Sequence, residues 1–228
     1  MTLICSVCGG TSFRFEPVLW DELVKAWELS DDERAYVDRQ QGECCTDCGS
    51  NLRSIALAEA MRQELGMEHW LAPGLGHRRF RKTRILELNE AGMLSPILAR
   101  MPGRVFGHYP EVDMQAMPYP SDTFDLVVHS DTLEHVPDPI EALKECRRVL
   151  KPGGACCFTV PIIVGRLSRR RDGMPASFHG ESATDADDWR VQTEYGADVW
   201  CQVLEAGFAS VRLNAIAYPS AVAIVARA

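Results

Sequence analysis

The chain has 228 residues, of which 46% are hydrophobic, and a formal net charge of -8. This composition can bury a complete core and is typical of a globular protein with one ordinary domain and a small appendage. The acidic balance disfavours a protein whose whole surface binds nucleic acid. No apolar run approaches the roughly 18 residues of a membrane helix, and the first ten residues lack the pattern of a signal peptide. We therefore expect a cytoplasmic protein with no membrane partner.

Two similar cysteine knuckles lie near the start of the chain, Cys5-Ser-Val-Cys8-Gly and Cys45-Thr-Asp-Cys48-Gly. Two cysteines separated by two residues can bind one ion, and the glycine that follows permits a tight turn. Two such pairs complete a tetrahedral site, so we predict a structural zinc ion at Cys5, Cys8, Cys45 and Cys48. Cys44 is the spare thiol because its spacing to Cys48 is longer. A redox dithiol and incidental cysteines are the alternatives.

Helical patterns fill the rest of the N-terminal part. Ser30 and Glu33 have the spacing of a capping box, and residues 52–65 form a helix that ends before a glycine. The basic and turn-rich stretch 72–84 then interrupts the pattern. We place a boundary there and predict an N-terminal zinc-knuckle and helical module over residues 1–75.

From residue 85 onward, short apolar runs alternate with helical segments, which indicates a parallel sheet covered by helices. The predicted strands are 85–88, 124–128, 155–160, 211–217 and 221–226, and the predicted helices are 93–101, 139–150 and 199–205. Residues 161–195 are polar and have no clear period, so they read as a long loop or lid.

The stretch 113–154 contains the phrases DMQAMPY, FDLV, LEHV and RVLKPGG. These resemble the class I S-adenosylmethionine-dependent methyltransferase family, whose middle motifs read roughly D-x-x-x-L-P-F, F-D-L-V, L-E-H-V and R-V-L-K-P-G-G. The resemblance implies an α/β, Rossmann-like sheet in residues 76–228, mostly parallel with an antiparallel last strand and helices on both faces. It also implies S-adenosylmethionine as cofactor.

The resemblance further implies which residues meet the cofactor. Glu87 stands at the acidic position of the family's first motif and Gly92 at its retained glycine, whereas Asn89 replaces a usual glycine. Asparagine tolerates left-handed backbone geometry, so this turn can survive the replacement. The cofactor-binding residues implied in this way are Glu87, Asn89, Gly92, Glu111, Asp113, Met114, His129 and Ser130.

One strand-helix unit is abbreviated, because only about twenty residues separate Gly92 from Asp113. Glu111 is then the candidate for the ribose hydroxyls, for which the family uses an acidic residue. By resemblance, Asp113 accepts the adenine amino group and Met114 lies beside the ring. A plain turn is the other interpretation of Asp113.

Methyl transfer needs a nucleophile about 3 Å from the methyl carbon, and positioning with exclusion of water can supply much of the rate. A hydroxyl or amine acceptor benefits from a base that removes its proton. His179 in the polar segment is our first candidate for this catalytic role, and Asp131 after the central strand is the second. A solvated loop histidine and a structural aspartate are the respective alternatives.

We expect the acceptor to be a small metabolite or a sugar-containing molecule. The basic stretches 77–84 and 166–171 could receive an anionic acceptor or could simply be solvated faces. An RNA methyltransferase that uses the zinc module to bind nucleic acid is one alternative function. A methyltransferase-like fold that has lost its cofactor and serves as a binding or scaffold protein is another.

Overall fold

Residues 2–178 and 189–228, which a computed structural model describes, form eleven strands and seven α-helices. The strands are β1 (Phe13–Phe15), β2 (Glu43–Cys45), β3 (Ile85–Leu88), β4 (Arg104–Gly107), β5 (Phe124–Ser130), β6 (Leu150–Thr159), β7 (Ile162–Ile163), β8 (Arg169–Arg170), β9 (Thr193–Gly196), β10 (Ser210–Ile216) and β11 (Ala221–Arg227). The helices are α1 (Asp21–Ala26), α2 (Asp31–Gly42), α3 (Leu52–Glu64), α4 (Leu71–Gly74), α5 (Ser95–Leu98), α6 (Pro139–Val149) and α7 (Val199–Glu205). None of these helices is long and apolar enough to cross a bilayer.

The main sheet has six strands in the order β10-β11-β6-β5-β3-β4. The four strands β4, β3, β5 and β6 are parallel to one another. At the other end of the sheet, β11 pairs with β6 in antiparallel orientation, and β10 pairs with β11 in antiparallel orientation. The inner strands are apolar runs because helices cover both of their faces. This arrangement confirms the predicted mostly parallel α/β fold with an antiparallel last strand.

The abbreviated unit lies at the β4 end of the sheet. A single turn of 3-10 helix (Gly92–Leu94) and the four-residue helix α5 connect β3 to β4, where sequence analysis predicted one helix over 93–101. Pro96 lies in the first turn of α5, where its missing N–H has no intrahelical partner to lose, but it would break a helix that began at residue 93. In the described stretch 108–123, the chain returns from β4 to β5 without a further strand or α-helix.

Two layers of helices enclose the main sheet. Helix α3 covers one face, and its residues Ile55 and Leu57 share a continuous core with Leu126 and Val128 of β5. Helices α6 and α7 cover the opposite face. The division into 1–75 and 76–228 stays a prediction, but the packing makes α3 a full layer of the sheet's core.

A third region combines α1 and α2 with a small sheet of order β7-β9-β8. Leu23 and Trp27 of the first helical segment pack there with Ile163 and Val191. The stretch 161–195 therefore contains strands where sequence analysis expected a loop. Two-residue strands that pair with distant segments leave no periodic pattern in the sequence.

Side-chain caps define where the N-terminal helices begin. The side chains of Ser30 and Glu33 form the predicted capping box at the start of α2. The side chain of Asn51 accepts a hydrogen bond of 2.9 Å from the Ser54 N–H and starts α3. Since Asn51 follows the second knuckle directly, the cap joins the cysteine cluster to the helix that covers the sheet.

Candidate cofactor site and metal centre

The four predicted zinc ligands come together in the structure. The Sγ atoms of Cys5, Cys8, Cys45 and Cys48 all lie within 4.8 Å of one another. The Cys5–Cys48 and Cys8–Cys45 Sγ distances are 3.6 and 3.7 Å. Zinc–sulfur bonds of about 2.3 Å in a tetrahedron place ligand sulfurs about 3.8 Å apart. The donor set and its spacing therefore fit a zinc site made of four thiolates.

The two knuckles have the same local geometry. Gly9 and Gly49 both have a left-handed backbone, with φ values of 89° and 76°. Each glycine N–H donates to the carbonyl of the first cysteine of its own knuckle, at 2.7 and 2.9 Å. The spare thiol, Cys44, lies outside the cluster and donates to the Gln41 carbonyl oxygen at 3.5 Å. The geometry thus groups Cys45, not Cys44, with the other three sulfurs.

Burial changes the acidity of the first knuckle. It raises the pKa of Cys8 to about 11 and raises the pKa of Cys5 still further. Both thiols keep their protons at neutral pH in the metal-free protein, because removing the proton would leave a poorly solvated thiolate. Metal binding at this site must therefore release protons.

The helix that follows the second knuckle, α3, contacts the predicted cofactor loop. Ser54, in the first turn of α3, accepts a hydrogen bond of 3.2 Å from the Met93 N–H. A methyl group added at Gly92 would lie 3.2 Å from Ser54 Oγ and 3.6 Å from Ser130 Oγ. The N-terminal part and the ends of β3 and β5 thus meet around one glycine.

The loop after β3 has the left-handed geometry that its position requires. Asn89, Glu90 and Gly92 have φ values of 50°, 60° and 53°. The Asn89 side-chain oxygen accepts a hydrogen bond of 2.8 Å from the Tyr109 N–H and ties this loop to the segment after β4. The loop leaves the sheet between β3 and β5, where the chain changes direction across the sheet. Ligands of open α/β sheets bind at such switch points.

Glu87 lies beneath this loop and is fully buried. One carboxylate oxygen accepts from the Ala91 N–H at 2.8 Å, and the other accepts from Arg104 Nε at 2.6 Å. Both oxygens are engaged by the chain itself. Glu87 therefore supports the loop from below, and its predicted contact with the cofactor stays a prediction.

Asp131 follows β5 at the same edge and has a left-handed φ of 50°. Its carboxylate forms a largely buried ion pair with Arg53 and accepts from Gln41 Nε2 at 3.2 Å. The Asp131 side chain keeps 23% of its surface exposed. Beside it, the hydroxyls of Ser130 and Thr159 lie 2.8 Å apart. This edge is polar, partly open and built by β5, β6 and the N-terminal helices together.

The segment after β4 carries three more predicted residues. Asp113 accepts from the Gln115 N–H at 2.8 Å and from the Gln115 side chain at 3.3 Å, so it organises its own turn. Met114 is buried against the α6 face of the sheet, and Glu111 is exposed. Their contacts are compatible both with an adenine-binding turn and with a plain turn.

His129 is a predicted residue that the fold buries completely. Its ring is fully buried, stacks on Phe158 at a centroid distance of 4.8 Å, and lies within 4.8 Å of the thiols of Cys146 and Cys156. Burial lowers the pKa of His129 to about 4, although the negative charge of Glu134 acts in the opposite direction. The imidazole is therefore neutral and belongs to the core beneath the α6 face.

Comparison with known proteins bears on the same segment. Residues 91–158 match the family model described as "Methyltransferase domain". This segment of the chain is therefore similar to a methyltransferase domain. The matched segment begins in the loop after β3 and includes β4, β5, α6 and most of β6.

Two curated relatives align with parts of the chain. The chain is 44% identical over 52 residues to 2-methyl-6-phytyl-1,4-hydroquinone methyltransferase 1, chloroplastic, of Oryza sativa, covering 23% of this chain and 16% of the relative. It is 38% identical over 96 residues to the ubiquinone/menaquinone biosynthesis C-methyltransferase UbiE of Vibrio campbellii, covering 38% of this chain and 36% of the relative. The alignments thus span well under half of the length of these relatives.

Solved structures were also found to be similar. An S-adenosylmethionine-dependent methyltransferase from Mesorhizobium loti aligns over 76% of this chain and 98% of its own, with 16% identity and a TM-score of 0.42. A methyltransferase from Thermotoga maritima, titled a possible histamine N-methyltransferase, aligns over 64% of this chain and 82% of its own, with 18% identity and a TM-score of 0.39.

The two basic stretches lie apart from the polar groups at the carboxyl ends of β5 and β6. Residues 77–84 border an open groove of about 490 Å³ at the amino ends of β3, β5 and β6, on the opposite side of the sheet. In the stretch 166–171, the arginines pair with carboxylates of the fold. The pairs include Arg166–Glu33 and Arg169–Glu194, both at 2.6 Å, and Arg171–Glu194.

Sequence analysis missed three side chains that the domain brings to its polar edge, Gln41, Arg53 and Ser54. All three come from the N-terminal part, which we treated as a separate module. The phrase Cys48-Gly-Ser-Asn-Leu-Arg-Ser contained the available signal, because an arginine in the first turn of an otherwise buried helix needs a polar partner. The predicted catalytic residue His179 lies outside the residues that the structure describes.

Proposed function

We propose that this protein is an enzyme that transfers a methyl group from S-adenosylmethionine to a small-molecule acceptor. One observation carries the proposal. The left-handed loop at Gly92 and the polar end of β5 meet at the switch point of the sheet, inside the segment that matches the methyltransferase family model. Gly92 leaves room there that any side chain would reduce, which fits a cofactor lying against the loop.

S-adenosylmethionine, when bound, supplies a methyl group on a positively charged sulfur. The chain's contribution is to hold the two reactants in line and to exclude water. Gly92 and the N–H groups of its loop would bind the amino acid end, and Asp113 with Met114 would receive the adenine. Ser130 and Asp131 would face the acceptor. These assignments rest on the positions of the residues around one edge.

For the acceptor, we propose a hydroxyl or an amine of a small metabolite or sugar-containing molecule. Asp131 lies at the edge where such a group would enter, and His179 remains the other candidate for its proton. A carbon acceptor is the second candidate. The relatives are named for C-methylation of quinones and for methylation of a hydroquinone, which favours it. Those alignments cover only parts of each chain, so they bear on the cofactor more than on the acceptor.

We also propose that Cys5, Cys8, Cys45 and Cys48 hold one structural zinc ion. Four thiolates leave no open position for water, so the metal would fold the N-terminal part and would not take part in the reaction.

The test begins with calorimetric titration of the zinc-loaded protein with S-adenosylmethionine and S-adenosylhomocysteine. We expect both to bind at one site per chain. Incubation with methyl-tritiated S-adenosylmethionine and a panel of phenols, sugars, amines and hydroquinones then identifies the acceptor, and mass spectrometry of the product distinguishes oxygen, nitrogen and carbon as the methylated atom.

The outcomes separate the alternatives. Absence of any S-adenosylmethionine binding at millimolar ligand would contradict the enzyme and favour a scaffold protein. A salt-sensitive complex with RNA, together with methyl transfer to RNA, would instead favour the nucleic-acid enzyme.

A further inference from the structure

Arg53 is a buried cation whose hydrogen bonds are incomplete. The residue is only 5% exposed, and one terminal nitrogen donates to Asp131. Its Nε atom is buried and has no hydrogen-bond partner among the described residues. A guanidinium has five N–H donors, and a buried donor left without a partner destabilises the folded state. A ligand that binds beside Arg53 would supply hydrogen-bond acceptors that the described residues do not.

The position of Arg53 indicates what that partner is. Arg53 directly precedes Ser54, whose hydroxyl lies against the Gly92 loop and accepts from the Met93 N–H. Its ion-pair partner Asp131 is at the carboxyl end of β5 and is partly exposed. The Asp131 carboxylate also lies 3.4 Å from Ser130 Oγ, which in turn faces Gly92, so the Arg53–Asp131 pair lies at the end of β5 near the loop at which the amino acid end of the cofactor would lie.

We propose that Arg53 binds the carboxylate of the methionine moiety of S-adenosylmethionine. The inference rests on the proposed function and adds to it a residue of the N-terminal part. The methionine moiety carries one carboxylate and one ammonium group, and the Arg53–Asp131 pair presents the opposite charges side by side. Arginine is suited to this task because its planar fork can serve Asp131 and a second carboxylate at once.

The experiment compares S-adenosylmethionine with decarboxylated S-adenosylmethionine, which differs from it only by loss of the carboxylate. We expect the wild-type protein to bind S-adenosylmethionine at least tenfold more tightly in calorimetric titration. In Arg53→Gln this preference falls to within twofold, and in Arg53→Lys, which keeps the charge but loses the fork, part of it remains.

A matched control comes from the same helix. Arg62 is also an arginine of α3, but it pairs with Glu59 and donates to the His69 carbonyl oxygen, away from the Gly92 loop. Arg62→Gln should leave the preference for S-adenosylmethionine at its wild-type value. Zinc content and thermal melting identify any variant that has not folded.

The outcomes distinguish this inference from the function on which it rests. If the wild-type protein binds neither ligand, the proposed function itself fails, and the assignment of Arg53 with it. If the wild-type protein binds both ligands equally, only Arg53 is misassigned, and this result needs no variant to fold. An undiminished preference in folded Arg53→Gln overturns the assignment in the same way.

Discussion

The surfaces at the two ends of the strands of the main sheet differ in their cavities, their buried charges and their backbone geometry. At the amino ends of the strands lies an open groove of about 490 Å³, bordered by exposed basic residues. At the carboxyl ends lie a left-handed loop, a largely buried ion pair and residues from the N-terminal part. Buried polar groups without a partner and backbone in sparsely populated regions cluster at functional sites. The comparison therefore points to the carboxyl ends of the strands as the candidate site, although the open groove lies at their amino ends.

The largest expected effect on zinc and cofactor binding comes from the four-cysteine cluster, which precedes the helix α3 that covers the sheet. We expect Cys45→Ser to lose the zinc ion and with it S-adenosylmethionine binding, because Cys48 lies three residues before the cap of α3. Cys44→Ser, which changes the neighbouring thiol outside the cluster, should retain both. Elemental analysis and calorimetry measure the two properties. Retention of one zinc per chain in Cys45→Ser would show that the cluster is not the metal site.

The next effect tests whether His129 serves the carboxyl edge or only the core. Because burial lowers its pKa to about 4, the folded state resists protonation that the unfolded chain accepts near pH 6.5. Stability is therefore lost as pH falls from about 6.5 towards 4, and this one group should cost about 2 kcal/mol at pH 5.

His129→Leu should remove that part of the acid sensitivity and leave S-adenosylmethionine affinity within about twofold of wild type. Urea unfolding at pH 7 and pH 5 measures the first property and titration the second. The exposed His108 provides the control, because His108→Leu should keep the wild-type difference between the two pH values. A strong loss of S-adenosylmethionine affinity in His129→Leu would show that the imidazole contributes to cofactor binding and not only to the core.

Asp113→Ala is expected to weaken S-adenosylmethionine binding at least tenfold, about 1.4 kcal/mol. The basis is the position of Asp113 in the turn after β4, next to the loop that Asn89 ties to Tyr109. Glu205→Ala, an exposed carboxylate of α7, serves as the control. If calorimetry gives the same affinity for Asp113→Ala and the wild type, Asp113 ends a plain turn.

The smallest effect compares one glycine from each edge. Gly92 and Gly153 both have a left-handed backbone, but only Gly92 has neighbours that a methyl group would approach. Both alanine variants should lose about 1–2 kcal/mol of stability from the backbone. Only Gly92→Ala should also weaken cofactor binding, by about threefold, since the methyl group would crowd Ser54 and Ser130. Equal affinities in the two variants would remove the distinction between the edges.

The inner strands of the main sheet could be predicted because their burial on both faces makes them apolar runs, as at Phe124–Ser130. The strand β4 at the end of the sheet was missed, because most of its residues are only partly buried. The cysteine cluster could be predicted because its ligand spacing is local. The position of Arg53 in the candidate site could not be predicted, because it depends on the ion pair with Asp131, which lies 78 positions away in sequence. The short strands β7 and β8 were missed for the same reason, since their pairing is non-local and too brief to produce a period.

The shared core of α3 and the sheet has a consequence for any attempt to dissect the chain. A fragment that begins at residue 76 would leave Leu126, Val128 and Val225 without the helix that covers them. Three neighbouring apolar side chains bared on one sheet face promote aggregation. We therefore expect such a fragment to be insoluble, and any chimaera or transplanted catalytic unit made from this chain to need its own first 75 residues.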